Sequence, residues 1–483
     1  MIKMIKTNIL IIVALIGSTV LNAQSDLSFY HLGEQTPQNS IFNPVFFPDA
    51  DFYISLPLLS GVSTNINNSF NYNDVFTAVE GTDSVQLDSE RLLANMKDGD
   101  RLSFNASVSL FQLGFHIGKN GAVQLFANER AKSSFYYPKR VMEYLLYGNG
   151  EFLGEEVREN NIRGGGTYYR EYGIGYSHQL LIMGNKKLRV GFRLKYLQGF
   201  AHAQVDEDAY VSFLTDAQSY TVQVGTNRPV FNTAGFDSFD EDGYLVSNAN
   251  KGYGFDFGAD LEISPKLKVA LAINDIGSIN WEEGVKNYEL IESEVAFGGL
   301  DLRDLDNAGD ILADTLDQLF DYVETTNNFK SKLNTRMFLS GSYQVIPKGT
   351  VTATIMTKND LGKMSFTYGV GYTHRLGKML TVSTSVSKKP SQGFAVGGGF
   401  AARLGIMQLY TSVDNVIGFT DVRKMQNVNM RVGVNFLFGR RSVKKKEKEE
   451  NGDEQRIKEK RVKEKISPFP DEYDLDHLEE IEN

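Results

Sequence analysis

The side chains best able to do chemistry are few and scattered. The chain has no cysteine and six histidines, His31, His116, His178, His202, His374 and His477, with no pair at metal-ligand spacing. Ser177 and His178 are neighbours, but adjacent residues of an extended strand point to opposite faces, so they cannot exchange a proton. There is no G-x-S-x-G, no phosphate-binding loop and no H-E-x-x-H. Asp240-Glu241-Asp242-Gly243 resembles half of a calcium loop, and Asp304, Asp306 and Asp310 cluster nearby. Both lack full ligand spacing with a closing glutamate. These absences argue against an enzyme and assign no catalytic residue, metal or cofactor. One polar constellation does stand out: Glu171, then Arg189, Arg193 and Lys195, then Asp256, Asp260 and Glu262. Alternation places these seven on one face of three successive strands, as a charge cluster that either lines a path or braces a wall.

The elements that must position them follow a period of two. In 188–196, Leu188, Val190, Phe192, Leu194 and Tyr196 alternate with Arg189, Gly191, Arg193 and Lys195. In 253–263, Tyr253, Phe255, Phe257, Ala259, Leu261 and Ile263 alternate with Gly254, Asp256, Gly258, Asp260 and Glu262. In 428–438 the inward set is Asn429, Arg431, Gly433 and Asn435, with Leu437 alone breaking the pattern. Tight turns fall at Lys119-Gly121, Gly184-Lys187, Ser264-Lys266, Pro347-Gly349, Leu376-Lys378 and Arg403-Gly405. Longer connections fall near 70–100, 137–166, 204–250, 280–333, 359–363, 389–391 and 415–426. Short turns on one rim and long loops on the other describe an all-β, transmembrane antiparallel barrel of fourteen strands. An even count puts both termini on the short-turn, periplasmic side. Tyrosines such as Tyr172, Tyr253, Tyr343 and Tyr368 fit an aromatic girdle, and glycines such as Gly369, Gly371 and Gly397 fit a crowded lumen. A spacing of three and four over Ile311, Leu312, Leu316, Leu319, Phe320 and Val323 predicts a loop helix, capped by Asp310. A hairpin is predicted over Tyr210–Leu214 and Ser219–Val224.

Composition agrees with this architecture. Of 483 residues, 45 are glycine, 23 tyrosine and 32 phenylalanine. Mean hydropathy is −0.27, and no long apolar run follows the N-terminus, which excludes a helical membrane bundle. A net charge of −10 argues against a nucleic-acid partner. Residues 1–23 read as a cleaved export signal, with Lys3 and Lys6 before the apolar Ile9–Ile16 and a small Ala23 at the cleavage point. Residues 24–50 form an N-terminal periplasmic or lumen-plug segment, 51–439 the outer-membrane barrel, and 440–483 a charged periplasmic tail, helical or disordered. That tail holds 12 basic and 14 acidic residues, the basic ones all at or before Lys465.

Three stretches carry a family resemblance. Ile41-Phe42-Asn43-Pro44-Val45-Phe46-Phe47-Pro48-Asp49 resembles the N-P-A-like opening of Bacteroidota-type outer-membrane barrels, with Val45 in place of alanine. Ile273-Asn274-Asp275-Ile276-Gly277-Ser278-Ile279-Asn280-Trp281 and Val413-Asp414-Asn415-Val416-Ile417-Gly418 resemble strand ends of the same group. Together they are similar to a barrel family of unknown function, related to the FadL-like and PorV-like fourteen-stranded proteins. The resemblance spans roughly 24–440 and implies a lumen plug, with Asn43, Pro44, Phe46, Phe47 and Pro48 as its motif. It carries over no ligand-binding residue.

The functional expectation is a porin-like channel or transporter for small solutes, hydrophobic ones among them, in contact with outer-membrane lipid. The alternative is a non-transporting structural or accessory barrel of an envelope complex of the type IX secretion or gliding kind. In that case residues 440–483 would dock a periplasmic or envelope protein. A third reading is a surface-exposed protein that binds through its long loops.

Overall fold

In a computed structural model of the chain, residues 26–440 are described apart from 58, 83, 161, 183–185, 237–248, 297–320, 389–393, 417–422 and 424–425. The export signal, the tail beyond residue 440, His477, both acidic stretches and most of the expected loop helix lie outside the described residues.

Alternating apolar and polar residues produce a closed antiparallel barrel of fourteen strands. The first, β1, is interrupted (Phe52–Ser55 and Val62–Asn68), because Pro57 has no N–H to give the ladder. The next six are β2 Arg101–Ile117, β3 Gly121–Tyr136, β4 Gly164–Ile182, β5 Lys186–Val205, β6 Lys251–Ser264 and β7 Leu267–Trp281. Then come β8 (Phe329–Lys332 and Arg336–Ile346), β9 Gly349–Asp360, β10 Lys363–Leu376 and β11 Leu380–Lys388. The circle ends with β12 Phe394–Leu404, β13 Met407–Val413 and β14 Asn427–Phe438. It closes because β1 pairs on both sides: Phe52 lies opposite Phe438 and Phe115, and Val62 opposite Val432 and Val108. Among the described residues the barrel itself has no open edge, as a membrane demands of backbone polar groups.

The wall has two unlike faces. Outward side chains are apolar and exposed: Leu194 is 51% exposed, Tyr253 72%, Val370 52%. Inward side chains on the same strands are polar and buried, among them Arg193, Asp256 and Asn435. No polar liquid is needed to account for the inner face, since segment 26–50 lies inside it. Among the described residues no helix is long and apolar enough to cross a membrane, so only the strands are available to do so.

On the long-loop rim, Glu156–Asn160, Tyr210–Thr215, Thr221–Thr226 and Ser293–Ala296 form a separate four-stranded sheet. It includes the hairpin foreseen from the sequence. The helix Lys139–Tyr147 packs on it, with Tyr144 stacked on Phe213 at 4.7 Å. Two expectations change. Val323 belongs to a strand, Asp321–Thr325, paired with Val285–Ile291 and not to a helix; its own register with Glu289 overrides the three–four spacing. The connection near 359–363 is a two-residue turn, Leu361-Gly362, with both φ angles positive (49° and 77°). That is the backbone twist a tight hairpin requires.

Candidate functional site

The candidate site is the lumen, and it is built from two parts: the inward side chains of the wall and the N-terminal segment seated against them. The segment makes one short helix, Leu27–Tyr30, and two tight helical turns, Gly33–Gln35 and Pro37–Ile41. Leu27, Phe29, Tyr30, Leu32, Phe42 and Val45 are all buried, in a cluster with Ala272, Phe338, Met356, Ala401 and Tyr410 of the wall. Tyr30 stacks on Phe338 at 5.2 Å. Asn39 holds the segment to itself, donating to the carbonyls of Phe29 and Gly33 at 2.9 and 2.8 Å.

Polar contacts tie the segment to strands around much of the barrel. Ser28 N–H donates to Asp414 at 2.8 Å, and its hydroxyl meets Ser385 at 2.7 Å. Tyr30 meets Ser340 at 2.7 Å, and His31 Nε2 lies 3.2 Å from Thr354. Gln38 and Asn435 exchange amide hydrogen bonds at 2.7 and 3.0 Å. Arg193 donates to Ser40 carbonyl at 2.8 Å, and Asn274 to Phe42 carbonyl at 2.8 Å. Burial without a counter-charge pushes the His31 imidazole down to about 4. Burial opposes ionisation of Glu34 too, but Arg189 and Lys268 beside it hold its carboxyl below the usual range.

The expected motif Asn43, Pro44, Phe46, Phe47 and Pro48 sits within this contact zone. Asn43 rests on Gly258 of β6, where a Cβ would collide with it, and Pro44 on Gly191 of β5, where a Cβ would be held in tight contact. His31 meets Gly371 in the same way, and Ser28 meets Gly397. Inward glycines are therefore sockets for this segment. Phe46 packs on Tyr30 at 5.7 Å, Phe47 packs between Tyr53 and His116 at 5.1 and 4.4 Å, and Pro48 is buried.

The seven charged residues expected on the inner face do face inward, but they divide. Glu171, Arg193, Lys195 and Asp256 form one network: Lys195 Nζ lies 2.6 Å from Asp256 and 4.0 Å from Glu171, and Arg193 Nε 3.5 Å from Asp256. Arg193 also covers the Phe126 ring at 3.8 Å. Arg189 instead pairs with Asp260 and with Glu34 of the segment, nearer the tight-turn rim. Among the described residues Glu262 pairs with Lys187 alone, at 3.5 Å and partly exposed.

The centre of the first network is a residue the alternation rule assigns no role, Asp275. It takes Lys195 at 2.6 Å, Arg130 at 2.9 Å and Arg336 at 2.9 Å. Arg130 also reaches Glu171 at 3.4 Å. The cause is a β-bulge. The pairing of β6 and β7 shifts between Phe255 and Phe257, so Asp256 faces both Asn274 and Asp275. Asp275 has φ of 61°, and its N–H donates to Asp256 at 2.7 Å. Both Asn274 and Asp275 are thereby buried inside while Ile276 stays outside. The Asn-Asp pair in Ile273–Gly277 was the available signal. Near the long-loop rim, Asp360 takes Arg101 at 3.1 Å, Lys358 at 3.6 Å, and the Ser134 and Asn334 side chains at 2.8 and 2.7 Å.

A closed β-barrel whose lumen is filled by its own N-terminal segment is thus the class that fold and site define. The chain belongs to a family of unknown function, DUF5723, whose model matches residues 44–414. No curated protein matches it. Among solved structures it is similar to the CymD monoaromatic hydrocarbon channel, at 9% identity and TM-score 0.42, over 87% of this chain and 99% of that one. It is also similar to a Pseudomonas aeruginosa FadL homologue, at 10% identity and TM-score 0.40, over 87% and 100%. A third is the Pseudomonas putida toluene transporter TodX, at 11% identity and TM-score 0.35, over 87% and 94%. Likeness at these identities and scores says nothing of what this chain carries.

Proposed function

We propose that the protein is an outer-membrane barrel that passes small solutes through a lumen closed at rest by residues 26–50. The observation that carries this reading is the way the segment is held. It is a separate piece of chain with its own internal hydrogen bonds, seated on glycine sockets and hydroxyl groups and not woven into the wall. The exposed apolar outer face supports a membrane position, because soluble proteins do not leave such a band in water. Eight buried apolar side chains of the segment, each contributing about 1.5–3 kcal/mol, make its full expulsion rare. Opening is therefore a local displacement along one side of it.

Planar-bilayer conductance tests this. The full chain is expected to be closed or to flicker, and the chain lacking 26–50 to conduct steadily. A deletion variant that folds as a barrel and never conducts would overturn the reading. The dense ion pairing of the lumen favours a second reading, a braced and non-transporting barrel that serves as an accessory of an envelope complex. There the charge-polarised tail, 440–483, is the docking segment. Capture of a defined envelope protein by full-length protein, lost on removal of the tail, is its expected signature.

A further inference from the structure

Charge is not balanced evenly along the lumen. Toward the long-loop rim, Lys132 of β3 has no ion pair among the described residues; its Nζ lies over the Tyr169 ring at 5.5 Å. The carboxylates within electrostatic range are already engaged. Asp275 is shared by Arg130, Lys195 and Arg336, Glu171 by Arg130 and Lys195, and Asp360 by Arg101 and Lys358. Lys132 instead shares the inner face of β3 with Arg130, two residues away, which meets Arg336 at Asp275, and Arg336 lies opposite Lys358 in the β8–β9 ladder. These groups are not sealed: Lys132 is half-buried, and the Arg336 and Lys358 side chains keep 14% and 16% of their surface accessible.

A partly desolvated ammonium with no direct ion pair, beside two more cations, is an unfavourable arrangement that an anion would relieve. Among the described residues no carboxylate pairs with it directly. We infer that Lys132, Arg336 and Lys358 form a binding site for a small oxyanion, a carboxylate or a phosphate, in the long-loop half of the lumen. An oxyanion there accepts charge-assisted hydrogen bonds from two ammonium groups and a guanidinium. The site deepens the channel reading by naming a solute class, but binding does not require that the barrel open.

Calorimetric titration of the full-length protein in detergent tests it, with inorganic phosphate in one arm and succinate in the other. Saturable binding is expected in at least one arm; the arm that binds identifies the phosphate or the carboxylate source. Lys132→Met is expected to weaken it by at least about tenfold, and Lys132→Arg to retain it. Lys358→Gln, at the far side of the site, is expected to weaken it as well, which keeps the test decisive if Lys132→Met fails to fold. No binding of either anion, or unchanged binding in Lys132→Met and Lys358→Gln, would overturn the site. A barrel that binds but never conducts would leave the site standing and remove the channel; one that conducts without binding would do the reverse.

Discussion

Two arcs of one barrel wall solve the same packing problem in opposite ways. Strands β3 to β7 line the lumen with long charged side chains, Arg130, Glu171, Arg193, Lys195, Asp256 and Asp275, which fill space themselves and neutralise one another. Strands β9 to β12 line it with short ones, Thr352, Thr354, Thr367, Thr381, Ser383, Ser385 and Ser387, together with Gly369, Gly371 and Gly397. Against this shallow arc the helix Leu27–Tyr30 and His31 supply the missing volume. The charged arc is held by ion pairs, while the helix lies against the hydroxyl arc, where the contacts with Ser385 and Thr354 are neutral and individually weak.

The contrast can be broken in graded steps. Asp275→Asn should have the largest effect, because three cations lose their shared carboxylate inside the wall; about 3–5 kcal/mol of stability is expected to go. Urea unfolding followed by gel mobility would read it, and a loss below about 1 kcal/mol would mean that the network does not brace. Acidification should act on the other arc. His31 is neutral when docked, near 4, and returns toward its ordinary value of 6.5 when released. The docked state therefore loses stability as pH falls from about 6.5 to about 4, by up to about 3 kcal/mol. Hydrogen exchange in 26–50 should rise over that window and flatten in His31→Gln.

A smaller effect is expected from Gly371→Ala, whose new Cβ meets the His31 ring. About 1–3 kcal/mol of docking is lost, read as faster proteolysis of the segment with the barrel intact. Ser385→Ala removes one neutral hydrogen bond to Ser28 and should cost only about 1 kcal/mol. If it loosened the segment as much as Gly371→Ala does, the hydroxyl arc would be the stronger holder and the comparison would need redrawing.

Much of this was legible in the sequence. The period of two named the strands and their faces, and Leu437, the one break in the last strand, faces inward against Phe47, Ala50 and Tyr53. Tyr176 and Tyr372 each bond the histidine two residues on, His178 and His374, as same-face neighbours must. The partners in the lumen were not legible. Arg336 reaches Asp275 from the next strand, where it lies opposite Asn274, and the curvature of the wall brings Arg130 to it from β3, four strands away. Asp275 itself escaped because a bulge inserts one residue and inverts the pleat, which a strict alternation cannot anticipate.

What the sequence determined by itself is the wall: an all-β chain of fourteen strands, which face of each is apolar, and which rim holds the tight turns. Those follow from local rules, the pleat and the turn residues. The tertiary structure alone decided the contents of the lumen. It set which charges meet and which glycines receive Ser28, His31, Asn43 and Pro44. The physical reason is that a closed ring makes neighbours of residues hundreds of positions apart, as with Ser28 and Asp414, and no periodicity encodes that contact.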